Sequence, residues 1–171
     1  NIIARGMPKF FNSDQEQAPK LELTDEVMVS DKMDGSLGIL YKLPDGTEAI
    51  ATRGSFASEQ AVWATNWWHE NRPPLENLKP DPLVDNGYFN MDGWTFVFEI
   101  IYPENRIVVD YGNKEGLVLL GAVRIEDGLF LPMGITGVDS APRYSYETWG
   151  EVLAAPERDN AEGFVVSRIS D

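Results

Sequence analysis

At 171 residues the chain suits one domain spanning 1–171 with a substantial apolar core. The absence of cysteine excludes a disulfide framework or a thiolate metal site, and no apolar run approaches the length of a bilayer crossing. With 28 acidic against 14 basic residues the net charge is −14, which argues against tight nonspecific binding to a polyphosphate backbone. A few cations inside a cleft can still hold a nucleotide, because short charge-assisted hydrogen bonds outweigh a screened global field there. No secretory signal is present, so the expectation is a soluble protein in a reducing compartment. The chain opens on Asn1 and breaks off at Asp171 inside a strand-like run, which suggests a core cut from a longer protein at both ends.

In chain order, PKFFN at 8–12 reads as a packed N-terminal strand. EVMVS at 26–30, LGILYKL at 37–43 and TEAIATR at 47–53 come next as strands. The last two form a hairpin, with Pro44, Asp45 and Gly46 supplying its turn. Between Phe56 and Glu70, Ala57, Ala61 and Ala64 with Val62, Trp63 and Trp67 recur at helical separations, and Ser55 or Ser58 is placed to cap that helix. Residues 72–90, rich in Pro, Asn and Asp, read as an irregular connection. Further strands are expected at 94–102, 106–111 and 116–124, then a short helix from about Ser145 to Ala155 and a buried-looking strand in AEGFVVS at 161–167. Consecutive strands with few helices predict an α+β fold of antiparallel or mixed sheets rather than a doubly wound parallel sheet.

Four segments carry candidate chemistry. KMDGS at 32–36 sets Lys32 and Asp34 two residues apart after a strand, so an extended chain aims both side chains the same way. A lysine in a partly desolvated pocket loses its proton more readily and can attack phosphorus, while Asp34 can hold a ribose hydroxyl or water. Taken alone, Asp-Gly-Ser after a strand is also an ordinary turn. TRGSFASEQA at 52–61 delivers Arg53 to a glycine turn, where it either forks onto a phosphate or is solvated. In FVFEIIYPENRIVVDY at 96–111, Glu99 is either an exposed strand residue or a carboxylate turned into a cleft floor. Phe96, Val97 and Phe98 read as core rather than a base-stacking platform. Glu162 precedes a glycine, where a lone acid is ordinarily a turn residue. The sole histidine, His69, has no partner cluster in the sequence and reads as a surface or packing residue.

In order and spacing, these pieces resemble the phage RNA ligase 1 family of covalent nucleotidyltransferases. That family combines KFFN, K-x-D-G-S, a basic residue followed by G-S-x-x-S-E-Q-A, F-E-x-x-x-P-x-N-R-I-V, an aliphatic strand leading to an arginine, and E-G-[FY]-V. The counterparts here are PKFFN at 8–12, KMDGS at 32–36, RGSFASEQA at 53–61, FEIIYPENRIVV at 98–109, LVLLGAVR at 117–124 and EGFVV at 162–166. The match runs nearly end to end. The family continues past E-G-[FY]-V into a strand bearing a lysine pair that contacts the α-phosphate, and this chain stops before any such pair.

The resemblance implies a covalent nucleotidyltransferase fold, related to ATP-grasp folds, and an ATP-dependent RNA ligase acting on RNA 5′-phosphate and 3′-hydroxyl ends with Mg²⁺. It implies a phage or bacterial source and a cytoplasmic setting. Lys32 would take AMP from ATP; Glu99 and Glu162 would orient the ribose or the waters around Mg²⁺; Arg53 and Lys9 would hold phosphates. Asp31 would accept from the adenine amino group, with the backbone at Lys32 reading the ring edge, and Arg106 would be a structural ion-pair member. Oligomeric state is not legible, and a monomer is the default. The competing readings are a DNA ligase or capping guanylyltransferase, against which the Asn105–Val108 block speaks, and a non-catalytic nucleotide or RNA-end sensor, against which retention of Lys32, Glu99 and Glu162 speaks.

Overall fold

The computed structural model describes residues 2–73, 93–101 and 109–169. Its elements are β1 (Val27–Asp31), β2 (Ser36–Lys42), β3 (Glu48–Thr52), α1 (Glu59–Asn71), β4 (Trp94–Ile101), β5 (Gly116–Arg124), β6 (Phe130–Leu131), β7 (Arg143–Tyr144), α2 (Trp149–Leu153) and β8 (Phe164–Arg168). They make an α+β fold of two antiparallel sheets, one in the order β3-β2-β4-β5-β6 and one in the order β7-β1-β8. Among the described residues no helix is long and apolar enough to cross a membrane.

Pairing register assigns the faces of the larger sheet, since directly opposed residues point the same way. Gly38 opposes Phe98, and Phe98 opposes Leu119; this face packs with Ile50, Ile100 and Leu117 against Ala64 and Trp68 of α1. The Trp68 and Phe98 rings lie 5.4 Å apart, and both are essentially solvent-free. Each such side chain contributes about 1.5–3 kcal/mol by leaving water. On the opposite face Leu37 opposes Glu99, with Ile39 and Leu120 nearby, and that face is left to line a cleft.

The helix starts later than the apolar pattern suggests. Ser58 is its N-cap, accepting from the Ala61 N–H at 3.2 Å, while Ser55 instead accepts from Ala57 in the preceding turn. Its buried line is Ala61, Ala64 and Trp68, which leaves Val62 exposed. The β2–β3 turn forms where Pro-Asp-Gly places it, with the Asp45 carboxylate accepting from the Thr47 N–H. Other expectations are corrected. KFFN is not a strand: Lys9 and Phe10 are exposed, because the segment crosses the open sheet face without a ladder partner. Residues 109–111 are not a strand either, because the Val109 N–H goes to the Asp34 side chain. The second helix is confined to 149–153, since Arg143 and Tyr144 pair with β1 and the N-cap is Thr148. β8 is half-buried rather than buried, because it is an edge strand. Arg106, Asn105 and most of the 72–90 connection lie outside the described residues.

Candidate active site

A cleft of about 820 Å³ is lined by the N-terminal segment 6–10, by β1 and the loop after it, by Leu37 and Ile39 of β2, and by Arg53, Glu99, Leu120, Phe130, Glu162 and Val165. The sequence candidates Lys9, Asp31, Lys32, Asp34, Arg53, Glu99 and Glu162 all line this one space. They come from five separate stretches of chain. The packing of β1 beside β8 and of the loop after β1 beside β4 brings Asp31, Lys32, Asp34, Glu99 and Glu162 together, and the β2–β3 pairing and the N-terminal segment add Arg53 and Lys9.

Lys32 succeeds β1 directly, and its backbone N–H donates to the Gly163 carbonyl at 3.0 Å. That N–H is therefore used within the protein. The Lys32 ammonium donates to Oε1 of Glu162, and both side chains remain 29% exposed. An ion pair so open to water adds little stability, so a phosphate can displace it at low cost. Gly163 has φ +137, a left-handed backbone that L side chains rarely adopt, which explains the glycine after Glu162.

Glu99 projects from the middle of the larger sheet into the cleft. Burial, reinforced by the nearby carboxylates of Glu162 and Asp34, pushes its pKa from an ordinary 4.5 up to about 8; the Gly35 N–H and the Lys32 charge pull the other way. Gly35 lies so close to β4 that a Cβ there would sit 2.4 Å from the Ile100 carbonyl oxygen and 3.1 Å from Glu99 Cγ. The glycine in KMDGS is thus demanded by close approach of the loop after β1 to the strand that carries Glu99.

Asp34 is buried, and Oδ2 accepts from the Val109 N–H at 2.6 Å; in return the Asp34 N–H donates to the Tyr111 hydroxyl at 2.7 Å. Oδ2 thereby holds residues 109–111 against the loop after β1. Burial raises the Tyr111 pKa, as do the carboxylates of Asp34, Glu99 and Asp31, while its hydrogen bond with the Asp34 backbone opposes the shift. Asp31 is also partly engaged, accepting at Oδ1 from Arg158 at 2.8 Å. Among the described residues Arg53 has no hydrogen bond or ion pair, and Lys9 approaches only the Phe11 ring, at 5.0 Å. Both cations are available at the mouth of the cleft. His69 is exposed on α1, its Nε2 lying 2.6 Å from the Glu48 carbonyl oxygen, away from this space.

Tyr111 and Arg158 are site residues that sequence reasoning misses. Tyr111 ends the FVFEIIYPENRIVVDY block, but nothing local signals that its hydroxyl reaches Asp34. Arg158 lies in a Pro-Glu-Arg-Asp-Asn stretch with no periodicity to exploit.

Among the described residues no group of three acidic or histidine side chains forms a ready-made metal cage. Magnesium does not need one, because it is ordinarily held by one or two carboxylates, substrate phosphates and several waters. The hard oxygens of Glu99 and Glu162 in one cleft fit that donor set.

An α+β architecture of two antiparallel sheets and two helices is a nucleotidyltransferase-like fold, and here its cleft holds a lysine and two glutamates. A family model described as RNA ligase matches residues 1–168, and the chain belongs to that family. RNA ligation is the function that membership supports, in agreement with the resemblance carried by the motifs.

Proposed function

We propose that the chain is the nucleotidyl-transferring unit of an ATP-dependent RNA ligase, with residues 1–171 acting as one domain and Lys32 as the nucleophile. The observation that carries this reading is the Lys32 ammonium standing in the cleft beside Glu162, with Glu99 close enough to feel both charges.

In the first step Lys32 Nζ, having lost a proton, attacks the α-phosphorus of ATP. A P–N bond forms, the bond to the β-phosphate oxygen breaks, and pyrophosphate leaves. An RNA 5′-phosphate oxygen then attacks the same phosphorus, breaking the P–N bond and leaving AMP joined to the RNA end through a pyrophosphate link. Finally a 3′-hydroxyl attacks the RNA 5′-phosphorus, AMP departs and the proton goes to solvent. Phosphoryl chemistry of this kind asks the protein mainly for positioning and neutralisation of charge. Arg53 and Lys9 hold phosphates at the cleft mouth. The second oxygen of Asp31 accepts from the adenine amino group, while Glu99 and Glu162 would orient the ribose or the waters around Mg²⁺. When bound, Mg²⁺ neutralises developing charge on the phosphate oxygens. Asp34 acts mainly by fixing the loop, and also holds a ribose hydroxyl or water. Its substrates are ATP and RNA ends.

Incubation with α-labelled ATP or GTP and Mg²⁺ tests the reading. Covalent label from ATP that is discharged by 5′-phosphorylated RNA is expected. Label from GTP alone would favour a capping enzyme, discharge only to nicked DNA would favour a DNA ligase, and no label would favour a nucleotide or RNA-end sensor. The same measurement on a longer chain that includes the family's downstream lysine pair guards against a false negative.

A further inference from the structure

Arg158 lies outside every motif that marks the cleft, yet its guanidinium is the most heavily used cation near it. NH1 donates to Asp31 Oδ1 at 2.8 Å and to the Tyr144 hydroxyl, and NH2 donates to the Gly163 carbonyl at 2.8 Å. Its charge lies 4.0 Å from the centre of the Phe164 ring and 5.0 Å from that of Tyr144. A planar fork held on aromatic faces loses little freedom on making several directed bonds.

The identities of its partners give these contacts meaning. Asp31 immediately precedes Lys32, and Gly163 immediately succeeds Glu162. The Gly163 carbonyl is shared, since the Lys32 N–H donates to it as well, at 3.0 Å. One guanidinium therefore ties the residue before the nucleophile to the backbone after its carboxylate partner. The turn between Arg158 and Gly163 is pinned again at its middle. Asn160 adopts φ +50 and exchanges two 2.8 Å hydrogen bonds with the Asp110 backbone, as an opposing strand would. A left-handed asparagine persists where its surroundings over-determine it.

We infer that Arg158 is a positioning residue that keeps Lys32 and Glu162 in register by bracing Asp31 and the Gly163 carbonyl together. The inference rests on the proposed nucleophilic role of Lys32 and adds to it a residue that touches neither ATP nor RNA. Methionine at this position would keep much of the packing on the two rings and lose every donor. Lysine would restore a charge able to reach Asp31 or the Gly163 carbonyl but not both.

The test compares Arg158→Met and Arg158→Lys with the unsubstituted chain in two measurements. Amide hydrogen exchange in peptides spanning Lys32 and Gly163 needs no activity, and the brace predicts exchange at Lys32 faster by about tenfold in Arg158→Met, with partial restoration in Arg158→Lys. Single-turnover labelling from ATP then separates rate from occupancy. The rate constant is expected to fall about tenfold or more in Arg158→Met, with the ATP half-saturation concentration little changed and Arg158→Lys intermediate. Unchanged exchange at Lys32 would overturn the inference, and so would a smaller labelled fraction with an unchanged rate constant, which marks a role in folding alone. Should Arg158→Met fail to fold, Arg158→Lys carries both measurements, with slower labelling and faster exchange still required. If neither the unsubstituted chain nor a longer chain bearing the family's downstream lysine pair takes label, the ligase reading falls, and exchange still decides the brace.

Discussion

The ammonium of Lys32 and the carboxylate of Glu162 touch in the cleft although 130 positions separate them in the chain. In the proposed reaction Glu162 would hold Lys32 until ATP arrives and be released to the ribose or the waters around Mg²⁺ when a phosphate takes the lysine over. Replacing it with alanine is expected to slow covalent labelling on the order of 100-fold, the scale of losing one positioned acid-base group. Thermal stability should barely change, because the pair is open to solvent. Rapid-quench labelling beside a melting curve checks both.

Glu99 gives the fold a pH dependence whose sign is fixed. Its folded pKa, near 8, lies above the unfolded value of about 4.5, so the folded state holds the proton more tightly. The associated stability is fully present below pH 4.5 and is lost as the pH rises toward 8. At about 1.4 kcal/mol per pKa unit the effect amounts to a few kcal/mol. Glu99→Gln, neutral at every pH, should flatten this part of the stability profile and be more stable than the unsubstituted chain above about pH 8. Denaturant melts between about pH 5 and 9 would show it, and parallel profiles for the two proteins would refute it.

Two glycines in the motif segments should behave in opposite ways. Gly35→Ala puts a methyl 2.4 Å from the Ile100 carbonyl, whereas a Cβ on Gly54 meets nothing within 4 Å. The first substitution is expected to cost about 2 kcal/mol or more and to displace Glu99; the second should change stability by no more than about 0.5 kcal/mol. Equilibrium unfolding of the pair measures the contrast.

Arg53 is exposed at the cleft mouth without a partner among the described residues. Its replacement by alanine should leave the melting temperature within about a degree while weakening use of ATP or RNA about tenfold, as expected for one lost charge-assisted contact. Labelling and ligation titrations identify which substrate it serves. A fall in stability with intact kinetics would assign it to structure instead.

The parts of this molecule legible in the sequence are those whose signal is local. The run from Gly116 to Arg124 is apolar enough to declare its own strand, and its limits agree with the structure. Pro44-Asp45-Gly46 announces its turn through the conformational preferences of those residues. β6 and β7, of two residues each, are too short to display any alternation and exist only because a neighbouring strand offers a ladder. In the cleft the chemistry-bearing residues stand out through their grouping into motifs. The partners that fix them do not, because a contact such as Arg158 with Asp31, 127 residues apart, leaves no trace in spacing. Asp34 shows the limit most clearly. Its place beside Lys32 suggests a residue aimed at substrate, and its burial and its bond to Val109 become apparent only when the chain is folded.

In the proposed reaction one amine, that of Lys32, carries AMP. Proteolysis and tandem mass spectrometry of the chain after incubation with ATP and Mg²⁺ test it most directly, with Lys32→Ala in parallel. An acid-labile AMP adduct is predicted on the peptide containing Lys32, and none anywhere in the variant. An adduct on a different lysine, or one that survives in Lys32→Ala, would contradict it.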